Sequence, residues 1–239
     1  MRILITNDDG LNAPVLPHLI RWARGIGEVT VVVPKVEQSG KSHAIDFTRP
    51  IEIKEVALAP DITVWSMDST PADCVRFAVL GKKWEFDLII SGINRGFNLG
   101  KDIVYSGTCG AIFEGARLGI KGIALSTDPR DFAPAVRRLE SLWEFIEVNR
   151  LLERNNLYNI NIPLTENGTV FTKQGGIYFY DEFHYIGNNM YEQRGGLVET
   201  DSFDLTLDTD AIRHNYLSIT PLTHERTAID VFHKLALNN

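Results

Sequence analysis

The sequence predicts an α/β domain with a mostly parallel sheet, and three observations carry that expectation. Short apolar runs, Ile3-Leu4-Ile5, Val29-Thr30-Val31-Val32-Val33 and Leu88-Ile89-Ile90, have the texture of strands buried on both faces. Segments with helical spacing stand between them. Polar, glycine-bearing loops follow the strands, and in open α/β sheets ligand sites form outside the carboxyl ends of the strands. A chain of 239 residues is ample for one such domain, or a domain plus an extension.

Taken in order, Arg2 to Thr6 is the first strand and Glu28 to Val33 the second, closed by Pro34. Pro17 to Arg24 is the crossover helix that makes the opening a βαβ unit. Ile45 to Pro50 is strand-like, and Ile51 to Val56 with Thr63 to Met67 forms a strand pair off the main sheet. Pro71 starts a helix running to Leu80, with proline at a tolerated first-turn position. Asp87 to Ile90 is a buried strand, followed at once by a loop from Ser91. Ser106 to Leu118 is helical in pattern, and Ile123-Ala124-Leu125 is the next strand. Val136, Leu139, Trp143 and Ile146 recur at helical spacing between Pro134 and Val148.

Beyond about residue 150 the texture changes. Tyr158 to Ile162, Thr169 to Thr172 and Ile177 to Tyr180 are strands or arms separated by Asn-Gly and Gly-Gly turns, and Ile160-Asn161-Ile162 alternates as a half-buried strand does. Thr223 is placed to cap a last helix carrying Ala228, Val231, Phe232 and Leu235. The expected organisation is a single domain, 1–239, with a core over 1–150 and an extension over 151–239. Aromatic arms and an apolar terminal helix would be exposed on a monomer, so self-association with closed symmetry is expected.

Composition narrows the class. With 44% hydrophobic and 23% charged residues the chain is an ordinary soluble globular protein. A net charge of −7 argues against a nucleic-acid polymer or an anionic membrane as partner. Two cysteines, Cys74 and Cys109, make no disulfide framework. The opening has one basic residue and then about three apolar ones, too short for a signal peptide. No apolar run approaches a membrane span. The cytoplasm is the expected compartment.

Thr6-Asn7-Asp8-Asp9-Gly10 is the most informative segment, because it puts two adjacent acids where the first strand ends. Two carboxylates held about 4 Å apart at an effective dielectric near 20 repel by roughly 4 kcal/mol. A divalent cation would turn that cost into binding, and hard oxygen ligands suit magnesium, manganese or calcium. Asn, Asp and Gly are also ordinary turn residues, so a solvated turn is the competing reading. Three further loops at strand ends weigh against it. Gln38-Ser39-Gly40 follows the second strand. Ser91 to Gly100 carries Gly92, Gly96 and Gly100 with Asn94 and Asn98, whose amides can bind metal or phosphate oxygens. Tyr105-Ser106-Gly107-Thr108-Cys109-Gly110 opens a helix, and helix N-termini present free N–H groups to anions.

Several lookalikes fail. Gly40-Lys41-Ser42 resembles the end of a phosphate loop, but Lys35 stands where the first glycine belongs and no helix follows. Cys109 lacks the arginine six positions on that a thiol phosphatase needs, since position 115 is glycine, and is a small packed residue instead. Gly10 stands where aspartyl-phosphate hydrolases place a second aspartate. Asp208-Thr209-Asp210 is similar to the acid pair of sugar-nucleotide transferases, a common pattern of low weight. The six histidines form no zinc motif, and His43 reads as local structure.

The set of motifs resembles the SurE family, the stationary-phase survival proteins that act as metal-dependent nucleotidases. It runs through Arg2 to Gly10 with Ala13-Pro14, Gln38-Ser39-Gly40, Thr70 to Val75, Asp87 to Gly100, Tyr105 to Thr108 and Glu114-Gly115-Ala116. Asn159-Ile160-Asn161-Ile162-Pro163 and Ser218-Ile219-Thr220-Pro221-Leu222 complete it. Val15 and Ser69 depart from the family's glycines, beside the motifs rather than within the metal set.

The resemblance implies a Rossmann-like, three-layer core. It also implies one divalent ion per subunit, Mg2+ or Mn2+, held by Asp8, Asp9, Ser39 and Asn94. Asp8 and Asp9 are then the catalytic acids, with Asp9 favoured to orient or deprotonate water. Ser106, Gly107 and Thr108, with Asn98 opposite, would hold the phosphoryl oxygens. The implied substrates are nucleoside 5′-monophosphates, with 3′-nucleotides and short polyphosphate beside them, and the C-terminal β-arm and helix would build a dimer or tetramer. A nucleotide-sugar transferase, which would release nucleotide only with an acceptor present, and a non-catalytic nucleotide sensor, which would bind metal and nucleotide without turnover, are the alternatives.

Overall fold

A computed structural model describes residues 1–237. The strands are β1 (Arg2–Thr6), β2 (Glu28–Pro34), β3 (Ile53–Ala59), β4 (Ile62–Met67), β5 (Leu88–Arg95), β6 (Lys121–Thr127), β7 (Leu157–Ile162), β8 (Thr169–Phe171), β9 (Phe179–Gly187), β10 (Met190–Leu197) and β11 (Leu217–Leu222). The helices are α1 (Leu16–Ala23), α2 (Pro71–Arg76), α3 (Gly107–Arg117), α4 (Ala133–Val148), α5 (Leu151–Arg154), α6 (Asp208–Arg213) and α7 (Ile229–Ala236). A π-helical turn, Phe77–Gly81, extends α2, and a 3-10 helix, Gly100–Tyr105, leads into α3.

Nine strands form one sheet in the order β3-β4-β2-β1-β5-β6-β7-β11-β8. The six central strands from β4 to β7 are parallel; β3 at one edge and β11 with β8 at the other run against them. Alternation along β1 explains the three layers. Ile3 and Ile5 face α1 and α4 with Leu19, Ile20, Leu139 and Trp143. Leu4 faces α2 and α3 with Cys74, Val75, Cys109 and Ile112. Ile3, Leu4 and Ile5 are fully buried, each contributing roughly 1.5–3 kcal/mol of transfer free energy. Strand order reverses between β1 and β5, and a crevice opens at the carboxyl ends of such a pair. Thr6 pairs with Ser91 at that point, directly before the acid pair.

Several expected elements are corrected. The β3–β4 hairpin is not off the main sheet: β4 pairs parallel with β2, continuing the sheet to its edge. Ile45 to Pro50 forms no strand. β5 does not end at Ile90 but runs to Arg95, with an irregularity against β6 between Ser91 and Asn94. Gly92 is required there, because its φ is +130° and a Cβ would lie 2.2 Å from the Leu125 carbonyl oxygen.

Beyond residue 150, β7 is a core strand buried along its whole length and parallel to β6, not a half-buried arm. Its asparagines hide the pattern, because they are buried too. The parts that leave the sheet are the β9–β10 hairpin and α7. That hairpin turns at Asn188-Asn189, both at positive φ, which asparagine tolerates better than most residues. Thr223 caps no helix; its hydroxyl accepts from the Glu225 N–H, and α7 begins after Ala228 without a side-chain cap. The last two residues of the expected extension, 238–239, lie outside the described residues. Among the described residues no helix is long and apolar enough to cross a membrane.

Candidate active site

The turn after β1 divides its labour. The buried Asn7 amide donates to the Gly10 carbonyl at 3.0 Å and accepts from the Gly10 N–H at 3.1 Å. Gly10 has φ +84°, and a Cβ there would lie 2.8 Å from the Val36 backbone. Turn chemistry therefore accounts for Asn7 and Gly10 and leaves both acids over.

Asp8 is buried, and its Oδ1 accepts from the Thr108 hydroxyl at 2.7 Å. Burial pushes its carboxyl up to about 6, against the Thr108 bond that favours the charged form, and the Asp9 charge adds to the rise. Asp9 is also raised by burial, opposed by the Arg95 N–H that donates to its Oδ2 at 3.1 Å. Two acids held in this state are under-compensated, which is a property of ligand sites more than of turns.

The other expected ligands arrive on a neighbouring loop, for Ser39, and near the end of β5, for Asn94. The Gln38 N–H donates to the Asp8 carbonyl at 2.7 Å, fixing the loop that carries Ser39, whose hydroxyl donates to Glu37 at 2.6 Å. The Asn94 amide nitrogen donates to the Gly96 carbonyl at 2.8 Å, which leaves its oxygen as the uncommitted end. Asp8, Ser39, Asn94, Asn98 and Ser106 line one cleft of about 300 Å³, whereas Asp9, Gly107 and Thr108 stand beside it and not in its lining. The donor set is two carboxylates, a hydroxyl and an amide, all hard oxygens, so it fits Mg2+ or Mn2+. Among the described residues no three of His, Cys, Asp and Glu gather as a metal cluster. Half of the proposed donors are therefore neutral.

The phosphate-binding candidates converge on Asp8. Ser106 caps α3, its Oγ accepting from the Cys109 N–H at 3.0 Å. At Gly107 a Cβ would lie 3.1 Å from the Asp8 Cβ and 3.3 Å from Pro71, so glycine lets the N-terminus of α3 abut the acid. Thr108 is fully buried on the carboxylate itself. Asn98 is more committed than expected: its Nδ2 donates to Ser126 Oγ at 2.7 Å and its N–H to Asn161 Oδ1 at 2.9 Å. Its carbonyl accepts from the Asn159 and Asn161 amides at 2.7 and 3.0 Å. The two asparagines of β7 thus hold Asn98 in place, a role their alternation with isoleucine did not disclose.

Sequence reasoning missed Phe97, Asp102, Phe179 and Asp181, which also line the cleft. Asp102 Oδ2 accepts from the Tyr178 and Phe179 N–H groups, both at 2.9 Å, tying the root of the hairpin to the cleft. No local signal joins residues this far apart. Asp208 and Asp210 instead serve α6 and its surroundings: Asp208 accepts from the Gly100 and Gly175 N–H groups, and Asp210 from Asp204.

Cys109 is fully buried, and burial pushes its thiol up to about 12, so it stays protonated at neutral pH. Cys109→Ala is expected to keep phosphatase turnover within about threefold, the cost being a small cavity of roughly 1 kcal/mol in stability. A folded, metal-binding Cys109→Ala with no turnover, or a trapped phosphocysteine, would contradict this.

Comparisons with known proteins give the same picture. The family model for survival protein SurE matches residues 3–180. The 5′-nucleotidase SurE of Natranaerobius thermophilus is 34% identical over an alignment 257 positions long, covering 99% of this chain and 98% of that one. That of Thermosipho africanus is 39% identical, covering 93% and 91%. The crystal structure of the SurE protein from Aquifex aeolicus matches with a TM-score of 0.80 at 30% identity over 100% of both chains. Sheet order, acid pair and full-length similarity agree: the chain belongs to the SurE family.

Proposed function

We propose that this chain is a 5′-nucleotidase, a metal-dependent phosphatase that converts nucleoside 5′-monophosphates to nucleoside and phosphate, with 3′-nucleotides and short polyphosphate as further substrates. The observation that carries the reading is the buried Asp8, which lines one cleft with Ser39 and Asn94 and has Asp9 next to it in the chain. The names of its relatives support the substrate class. A divalent cation there would polarise a phosphoryl oxygen and lower the pKa of water. Asp8, Asp9, Ser39 and Asn94 would hold it. Asp9, the less buried acid, orients or deprotonates the attacking water. The amides at the start of α3, with Ser106 and Thr108 and the remaining N–H of Asn98, hold phosphoryl oxygens and stabilise charge as it develops. No side chain forms a covalent bond. Phosphate release from a panel of nucleoside monophosphates, with and without magnesium or manganese, tests the reading. Release from none of them, or only when an acceptor is added, would overturn it.

The assembly is proposed to be a dimer or tetramer. No residue of α7 is buried, and Ile229, Val231, Phe232 and Leu235 are each more than half exposed. Phe183, Tyr185, Ile186, Met190 and Tyr191 stand exposed on the β9–β10 hairpin, and an isolated two-stranded hairpin is marginal in water. One patch that meets its own copy covers both subunits at once. Removing residues 223–239 is expected to release monomers, read by light scattering; a truncated chain that assembles normally would contradict it.

A further inference from the structure

The loop that brings Ser39 and Gly40 to the acid-pair cleft puts Ser42, His43 and Ala44 into the wall of another. This second cleft is larger, about 580 Å³ against about 300 Å³, and the two share no lining residue. Its ionisable lining is basic throughout: His43, Arg117, His224 and Arg226. Glu114, close behind it, is already taken: it is almost fully buried and meets His43 at 2.8 Å, Arg76 at 3.1 Å and Arg117 at 2.6 Å, while Arg76 also meets the buried Asp73 at 3.7 Å. Arg226 has no acidic partner among the described residues. His224 meets only the exposed Glu225, at 3.5 Å. In a chain of net charge −7, a basic lining with no acid in it is a local field that attracts anions.

We propose that this cleft is a second, separate site for a phosphate-bearing small anion, held by the guanidinium groups of Arg226 and Arg117 and by the imidazoles of His43 and His224. Guanidinium forks match phosphate oxygens in pairs, which a point charge does not; that fork belongs to Arg226, because Arg117 already turns its Nε and Nη2 to Glu114 and adds charge and its remaining N–H groups. Phe113 and Ala44 supply an apolar wall for the organic part of such an anion, and the volume lies in the range of small-molecule sites. An anion seated there bears on the catalytic loop. The Ser42 N–H donates to the Tyr105 carbonyl at 2.9 Å, and Tyr105 itself lines the acid-pair cleft. α3 is packed so closely on this loop that a Cβ at Gly110 would lie 2.4 Å from the Ser42 carbonyl oxygen.

The probe is radiolabelled pyrophosphate in equilibrium dialysis against the full chain with metal chelated, when the acid-pair cleft repels anions. The native chain is expected to bind about one pyrophosphate, more weakly as salt rises. The double variant His224→Asn with Arg226→Ser is expected to lose at least about tenfold in affinity while keeping native turnover of p-nitrophenyl phosphate with manganese. Asp9→Asn is expected to keep the binding. The assignment is overturned if the native chain binds no pyrophosphate, if the double variant binds as well as native, or if Asp9→Asn removes the binding. This site does not rest on the phosphatase reading: dialysis measures it without turnover, so an inactive chain that binds pyrophosphate would count against that reading alone.

Discussion

Asp8→Asn and Asp9→Asn are each expected to lower kcat/KM for a nucleoside monophosphate by about a thousandfold or more, a loss of roughly 4 kcal/mol in transition-state stabilisation. Each substitution removes one of only two anionic donors in the proposed set, and the remaining Ser39 and Asn94 are neutral. Asparagine preserves size, so circular dichroism should stay native. The same loss is expected when native enzyme is treated with chelator, and added magnesium or manganese should restore it. Full activity in chelator, or an Asp9→Asn variant of native kcat, would end the metal mechanism. A milder loss confined to Asp9→Asn, with metal affinity intact, would show that Asp9 acts on water rather than on the ion.

Asp8→Asn is also expected to make the metal-free protein more stable at neutral pH, not less. Asp8 titrates near 6 when folded, against about 3.9 in an unfolded chain. Between those values the folded state holds a proton that the unfolded state has released. Stability of the metal-free protein therefore falls as pH rises from about 4 to about 6 and levels off above. A difference near two units corresponds to at most roughly 3 kcal/mol, or about 5–10 °C in melting temperature for a domain of this size. The variant removes that buried charge, so in chelator at pH 7.5 it should melt above the native chain, while at pH 4 the two should converge. Manganese at about a thousand times its Kd should reverse the order, because it then adds about 4.1 kcal/mol to the native fold only. A folded Asp8→Asn that melts below native in chelator at pH 7.5, or one stabilised equally by manganese, would contradict the account.

These two results also separate the two readings of the opening motif. A solvated turn predicts that neither acid matters to turnover and that Asp8 has an ordinary pKa. Asn7 and Gly10 already satisfy the turn through their paired hydrogen bonds. What makes the acids costly is burial, and burial comes from α3 closing over Asp8 through Gly107 and Thr108.

Local sequence determined the strands β1, β2 and β6 and the helices α1 and α4, because apolar periodicity is a local property and those elements bury continuous faces. It also determined the order of the loops along the chain, and with it the acid pair, Ser39, Asn94 and the Ser106-Gly107-Thr108 start of α3. Where the sheet ends was decided by tertiary pairing. β7 carries two asparagines that local reading takes for a solvent face, yet both are buried and bonded to Asn98. β4 looked detached because nothing within its own segment specifies a parallel partner, and pairing with β2 is a contact made across the chain. The same holds for the cleft. Asp102 gains its part only where the 3-10 helix meets the hairpin root, and the basic cleft exists only because the segment after β11 returns beside His43 and Arg117. Residue type sets which chemistry a side chain can offer, but burial and charge partners come from distant segments, and those decide whether a carboxylate is a turn residue or a ligand.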